Sequence, residues 1–201
     1  MILAGEAVAG LGAARGIPLP YSTQDPPDGI VPYTTLAGMF AMRRHLRRSQ
    51  YRTSPSGHSG LGLPAYVQAT SPLRRYLDLV VHQQLRSWLA GQALLSNEEL
   101  FERIGAVDAS TAALRQAEIL AVRHWTLVYL LQHPGWQGEG VLVEKRGATG
   151  TILVPELALE VRVHLNGDPP LDSRLTLGVG GIQLPTLDVS LQIVPQEGHA
   201  G

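Results

Sequence analysis

Hydrophobic positions change their period near residue 136. Before it, apolar residues recur at helical intervals; after it, they alternate with polar ones. Residues 1–15, MILAGEAVAGLGAAR, set Ile2, Leu3, Val8 and Leu11 among Ala and Gly. They predict a buried helix that starts with no capping residue before it, which raises the expectation of chain in front. Glu6 is the one charge in its first three turns and reads as a solvated or dipole-facing carboxylate. Residues 16–32 hold five prolines and predict an extended connector, with a turn at Asp25–Gly29. Residues 33–50 predict a helix whose inward face is Leu36, Met39, Phe40, Met42 and Leu46. A Ser-, Gly- and Thr-rich loop over 51–63 leads to a central helix from Pro72 to about Leu89, with Leu73, Leu77, Val80, Val81 and Leu85 as its stripe. Ser96-Asn97-Glu98-Glu99 has the form of a capping box and opens a helix to about Val107. Asp108 marks a break, and a second helix follows from about Ser110 to Gln132. Its expected buried face is Ala117, Leu120, Ala121, His124, Leu127, Val128 and Leu131, and His133-Pro134-Gly135 ends it.

From Gln137 onward five short segments alternate Val, Leu and Ile with polar residues: GEGVLVEKR, ATGTILVPEL, ALEVRVHL, SRLTLGVG and LDVSLQIV. Turn signals at Arg146-Gly147, Asn166-Gly167-Asp168 and Gly180-Gly181 separate strands of this kind. Five strands in about 60 residues fit a small closed barrel of the OB type. The fold class is therefore α+β, a helical part followed by that barrel, with the boundary at 135/136 and a disordered tail at 196–201. Small barrels that bind single-stranded nucleic acid stack bases on aromatic side chains. No Phe, Tyr or Trp follows Trp136 here, and the strands are acidic, so packing or scaffolding is the plainer role for the barrel.

Charge divides the chain the same way. Residues 1–90 carry nine Arg against four Asp and Glu; residues 91–201 carry seven Lys and Arg against thirteen. An anionic ligand belongs with the first part. Fifteen of the sixteen basic residues are Arg, which suits forked phosphate contacts, although a GC-rich coding sequence produces the same bias. There is no Cys, so disulfides and thiolate metal sites are excluded, as fits a cytosolic protein. No apolar run approaches the roughly 20 residues of a membrane span, and residues 1–13 lack the basic start of a signal peptide.

The candidate chemistry lies in residues 58–83, HSGLGLPAYVQATSPLRRYLDLVVHQ. Pro72 is pre-set for a first helical position, with Ser71 or Thr70 as the cap. Free N–H groups at such an end attract anions. Arg74 and Arg75 in a first turn oppose the helix dipole, which an anion held between them would offset. The alternative is that both arginines pair with carboxylates elsewhere. Asp78 lies within one turn of both, and His82 one turn beyond Asp78, so this side of the helix is a candidate polar network. Upstream, Arg43, Arg44, Arg47, Arg48 and Arg52 put five like charges in ten residues, either a solvated face or a phosphate contact through Arg44 and Arg48. His58, a lone histidine, reads as a packing residue.

The same stretch resembles the C-terminal signature of the ribonuclease II / RNase R (RNB) family of processive 3′-to-5′ exoribonucleases. His58, Gly60, Leu61, Gly62, Tyr66, Thr70-Ser71-Pro72, Arg74, Arg75-Tyr76, Asp78-Leu79 and His82 fall at the matching spacing. MILAGEAVA resembles the family's Met-Ile-Leu-Ala-Asn-Glu-Ala helix with Gly5 in place of Asn. QAEILAVRHWTLVYLL resembles its late helix, with Glu118, Arg123 and Trp125. The barrel resembles the OB-fold RNA-binding domain that follows the catalytic domain. The resemblance implies that Arg74 reaches the scissile phosphodiester and that Tyr66, Thr70, Ser71 and Arg75 line the RNA path. His58, Asp78, His82 and Glu118 give structural support. It implies single-stranded RNA as substrate, nucleoside 5′-monophosphates as products, cytoplasmic action and a monomeric complete enzyme. It also implies Mg2+ held by clustered aspartates, but those of the family lie upstream of Met1. The Asp residues here, 25, 28, 78, 108, 168, 172 and 188, are scattered and form no replacement cluster. No metal ligand is therefore expected in this chain, which would be inactive without the N-terminal half of the catalytic domain. The phenylalanine usual before Thr-Ser-Pro is Ala69. A non-catalytic RNA-binding or scaffold protein derived from the family is the alternative.

Overall fold

A computed structural model describes residues 1–29 and 32–195; the tail expected at 196–201 lies outside them. The chain forms two compact units. The first comprises Met1–Asp28 and Leu46–Leu114, the second Gly29–His45 and the chain from Arg115 onward.

In the first unit, α1 (Ile2–Arg15) is a helix, but the face it buries is not the expected one. Gly5, Ala9 and Gly12 are buried, while Ile2, Leu3 and Leu11 are exposed. The cause is the closeness of its neighbours. A Cβ on Gly5 would collide with the Tyr66 ring and the Val67 carbonyl, and one on Gly12 with Leu19. Only small residues fit, so the large apolar ones point away. The proline-rich connector is not featureless either. It contains β1 (Tyr21–Thr23), paired antiparallel with β2 (Gln50–Arg52). Behind α1, the core joins Ala9, Ile17, Leu19, Tyr21, Val67 and Val81. Burial raises the pKa of Tyr21.

The central helix α3 runs Tyr76–Leu89. Its N-cap is Arg75, not Ser71 or Thr70, so Pro72, Leu73 and Arg74 form a turn before it. Leu73, expected in the stripe, is fully exposed at 101%, whereas Leu77, Val80 and Val81 are buried as expected. Gln84 is buried as well. Its amide donates to the Pro18 and Leu95 carbonyls and accepts from the Leu95 N–H, which closes its account without solvent. Next, α4 (Asn97–Gln132) is one continuous helix, not two. Asp108 does not break it, since a solvated Asp costs a helix interior only a few tenths of a kcal/mol up to about 0.7. The capping box is present: the Ser96 N–H donates to Glu99 Oε2 at 2.8 Å, and the Glu99 N–H to Ser96 Oγ at 3.2 Å. Those bonds hold the Glu99 carboxyl below its usual range.

In the second unit, α2 is shorter than expected, Leu36–Met42, and buries Ala37 and Phe40. Leu36, Met39 and Leu46 are exposed. Five antiparallel strands follow: β3 (Gln137–Arg146), β4 (Thr149–Val154), β5 (Leu159–His164), β6 (Arg174–Gln183) and β7 (Asp188–Ile193). Their order is β5-β4-β3-β6-β7, and β5 and β7 approach each other, so the sheet is a nearly closed barrel. Register shifts at Leu142/Glu144 and at Val179/Gly181 supply curvature. Leu142, Ile152, Val161, Leu177 and Leu191 point inward, joined by Leu127 and Leu130 from the end of α4. Of the face expected on this helix, Leu127 is buried, while Ala117, Leu120, Ala121 and Leu131 are exposed.

The outer side of β3 is covered too. Val141 and Val143 pack against Ala37 and Phe40 of α2, which explains a strand buried on both faces. Asp172, at φ 67°, fastens the helix by accepting the Ala37 N–H at 2.8 Å. Asp172→Ala is expected to destabilise this unit by about 1–2 kcal/mol, read as a lowered denaturant midpoint. The added strain of Ala at positive φ should make Asp172→Asn the milder change.

Candidate nucleic-acid interface

The arginines that sequence placed together are separated by their partners. Arg75 Nη2 donates to Asp78 Oδ2 at 2.8 Å, and the Asp78 carboxylate is fully buried. Arg74 makes no ion pair among the described residues. The one hydrogen bond of its side chain among the described residues is a long one from Nη2 to Ser71 Oγ, 3.4 Å. So one arginine is structural and the other presents a free guanidinium. Asp78 lies four residues from Arg74 but orients Arg75 instead, because the helix begins at Tyr76 and Arg74 sits in the turn before it.

That turn is tied to α3. Asp78 Oδ2 also accepts the Ser71 N–H at 2.8 Å, and His82 Nε2 donates to the Ala69 carbonyl at 2.7 Å. The N–H groups of Arg74 and Arg75 donate to the Ser71 carbonyl, at 3.2 and 3.0 Å. His82 does not bond Asp78, so the expected linked network is two separate ties to one loop. Thr70 lies between them. Asp78 Oδ1 and Arg75 Nε are buried without a partner among the described residues.

Tyr66 packs its ring under Gly5, accepts the Ser22 N–H through its carbonyl at 2.9 Å and meets His58 edge-on at 5.9 Å. His58 also lies 3.4 Å from Ser49 Oγ through Nε2. Both side chains thus make contacts within the first unit. Sequence gave no sign of Tyr51, whose hydroxyl donates to Gln68 Oε1 at 2.8 Å. Burial is the main cause that raises its pKa, with the Arg75 charge opposing. Its residue type carried no signal, because its position follows from the pairing of β2 with β1.

The basic run is largely neutralised. Arg47 pairs with Asp28 and Arg52 with Asp25 in the first unit; Arg43 pairs with Glu160 and Arg44 with Glu144 in the second. Arg43 and Arg44 also flank the Phe40 ring, at 4.4 and 5.6 Å. The Arg44 hydrogen bond is the leading cause that holds the Glu144 carboxyl below its usual range. Of the two candidate phosphate contacts in this run, Arg48 is exposed with no ion pair among the described residues, and Arg44 is engaged. Glu118 is exposed on α4.

Among the described residues, no group of three or more His, Cys, Asp or Glu could hold a metal ion. The described residues do not fit a divalent cation site. No helix in the described residues is long and apolar enough to cross a membrane.

Helices with an exposed arginine in the turn before α3, followed along the chain by a five-stranded barrel, are the parts that the sequence resemblance leads one to expect, and comparison with known proteins agrees. Residues 36–91 match the RNB domain. A ribonuclease of Synechocystis, itself uncharacterised, is 33% identical over 189 residues, 89% of this chain and 28% of that protein. The chloroplastic/mitochondrial ribonuclease II of Arabidopsis thaliana is 33% identical over 147 residues, 65% of this chain and 17% of that protein. The structure of the Dss1 exoribonuclease of Candida glabrata superposes with a TM-score of 0.81 over 97% of this chain and 28% of its own, at 21% identity, which is a likeness of fold. The chain belongs to the ribonuclease II / RNase R (RNB) family, and spans less than a third of each of these three proteins.

Proposed function

We propose that this chain is the C-terminal portion of a processive 3′-to-5′ exoribonuclease that hydrolyses single-stranded RNA to nucleoside 5′-monophosphates. Residues 1–135 belong to its RNB catalytic domain and 136–195 form an OB-type RNA-binding domain. The observation that carries this is Arg74: an arginine without a carboxylate partner among the described residues, on a loop tied at two points, inside the stretch that matches the RNB domain. In that role its guanidinium meets the phosphate and stabilises the charge that builds as water attacks. Thr70, Ser71 and Tyr66 line the RNA path beside it, with Arg48 as an outer phosphate contact. Arg44, already paired with Glu144, contributes to RNA only by leaving that pair.

In the complete enzyme Mg2+ would be held by aspartates outside this chain and would supply the activation of water; the described residues offer no such cluster. Two surfaces support a missing part of the catalytic domain. The outer face of α1, with Leu3 at 77% exposure beside Ala7, Gly10 and Ala14, has no charge to solvate it. On α4, Val122, Trp125 and Tyr129 lie along one exposed side at helical spacing, with Trp125 at 67%. Helices apolar on both faces are normally covered. The complete enzyme is proposed to be monomeric and cytoplasmic.

The pure 201-residue chain is therefore expected to release no mononucleotides from labelled single-stranded RNA with magnesium. Chelator-sensitive release would contradict the proposal. The missing acidic cluster also suits a non-catalytic RNA-binding protein derived from the family. That second reading gains if no added catalytic half ever yields activity while Arg74→Ala still weakens binding.

A further inference from the structure

We propose that His82 is a positioning residue for Arg74, acting as one of two ties that hold the 69–75 loop in a shape ready for phosphate. The proposal rests on the reading of Arg74 as a phosphate contact and adds what fixes its place. His82 and Asp78 stand one helical turn apart on α3. From there they grip the loop on either side of Thr70: His82 Nε2 donates to the Ala69 carbonyl at 2.7 Å, and Asp78 Oδ2 accepts the Ser71 N–H at 2.8 Å. The Ser71 carbonyl then takes the N–H groups of Arg74 and Arg75 and closes the turn. The path from α3 to the Arg74 backbone therefore runs through hydrogen bonds only one or two residues apart.

The two ties do different work. Asp78 is fully buried and also neutralises Arg75, so its loss would disturb the core. His82 is exposed, and among the described residues the bond to Ala69 is the one hydrogen bond of its ring. The Ala69 carbonyl is an acceptor, so His82 must present Nε2–H to it, which both the neutral Nε2–H tautomer and the imidazolium do. An exposed histidine that spends its hydrogen bond on a loop backbone contributes little to a core. What it does contribute is order in the loop, and a phosphate-binding arginine gains from order paid in advance of binding.

A double-mutant cycle separates positioning from general support. Binding of a 5′-fluorescein single-stranded RNA oligonucleotide to the 201-residue chain is measured by anisotropy at low salt. The proteins are wild type, Arg74→Ala, His82→Leu, the double variant and His82→Gln, whose amide N–H can still reach a carbonyl. His82→Leu is expected to weaken binding about three- to tenfold, as loss of one hydrogen bond would. His82→Gln should recover most of it. With Arg74→Ala already present, His82→Leu should cost less than about twofold more, because there is no guanidinium left to place. Thermal melts of each variant confirm that the folded chain is compared. The proposal is overturned if His82→Leu binds like wild type, if its loss is equally large with and without Arg74, or if His82→Gln recovers nothing. Should His82→Leu be silent while Arg74→Ala weakens binding, only the positioning role is lost. If Arg74→Ala is silent, or the wild-type chain binds no RNA, the phosphate reading fails and the positioning role with it.

Discussion

Arg74→Ala is expected to weaken binding of single-stranded RNA by this chain about 10- to 100-fold while leaving its stability nearly unchanged. Among the described residues the guanidinium has no carboxylate to release and only a 3.4 Å contact to Ser71 Oγ, so removing it breaks one long hydrogen bond in the free protein. A charge-assisted bond to phosphate is worth about 1.5–3 kcal/mol. Affinity should also fall less steeply with salt, by about one unit of the log–log slope, because one phosphate contact is gone. Arg75→Ala should do the reverse. It strips the buried Asp78 carboxylate of its partner, so stability falls first. Anisotropy across a salt series and a denaturant titration of both variants check this. Equal behaviour of the two arginines would contradict the division of roles.

Gly5→Asn is expected to destabilise the first unit by about 1–3 kcal/mol, with more in reach if α1 must shift as a body. The substitution is instructive because Asn is the residue that the family's corresponding helix carries. In this chain the helix lies so close to Tyr66 and Val67 that a Cβ would strike both a ring and a backbone carbonyl. The ring can move; the carbonyl accepts no such shift without moving the segment that leads to Thr70. Chemical denaturation followed by helix signal reads the loss. A variant as stable as wild type would mean that α1 stands farther from that segment than the geometry shows.

Much of this molecule was legible in the sequence, and what was not had local physical causes. The five strands and the capping box at Ser96 follow from alternation and side-chain chemistry, both of which act over a few residues. The turn expected at Gly180-Gly181 is instead an irregularity within β6, where glycine accommodates the register shift, and the chain reverses at 184–187. The faces of the helices did not follow so well. α1 buries Gly and Ala because backbone approaches it, and periodicity of large residues cannot report that. The unbroken α4 keeps its middle exposed, so the apolar residues there mark a surface and not the core of this chain. At the candidate site, sequence picked out Arg74, Arg75, Asp78 and His82. It placed both arginines inside the helix, because Ser-Pro before an apolar stripe reads as a helix start. The structure delays that start to Tyr76, and the Ser71 N–H turns to the Asp78 carboxylate instead. The ion pairs of the basic run were out of reach as well, since Glu144 and Glu160 lie about a hundred residues along the chain.

The central claim is that this chain completes an active site by supplying Arg74 while the metal-binding part comes from elsewhere. Its most direct test adds the remaining part of an RNB catalytic domain, from the portion of the Synechocystis relative that this chain does not span, fused ahead of Met1. Magnesium-dependent release of nucleoside 5′-monophosphates from labelled single-stranded RNA is then measured with Arg74 and with Arg74→Ala. The account predicts release by the first protein, none by this chain alone, and a loss of about 10²-fold or more in the variant. Undiminished release with Arg74→Ala, or equal release by the unfused chain, would contradict it.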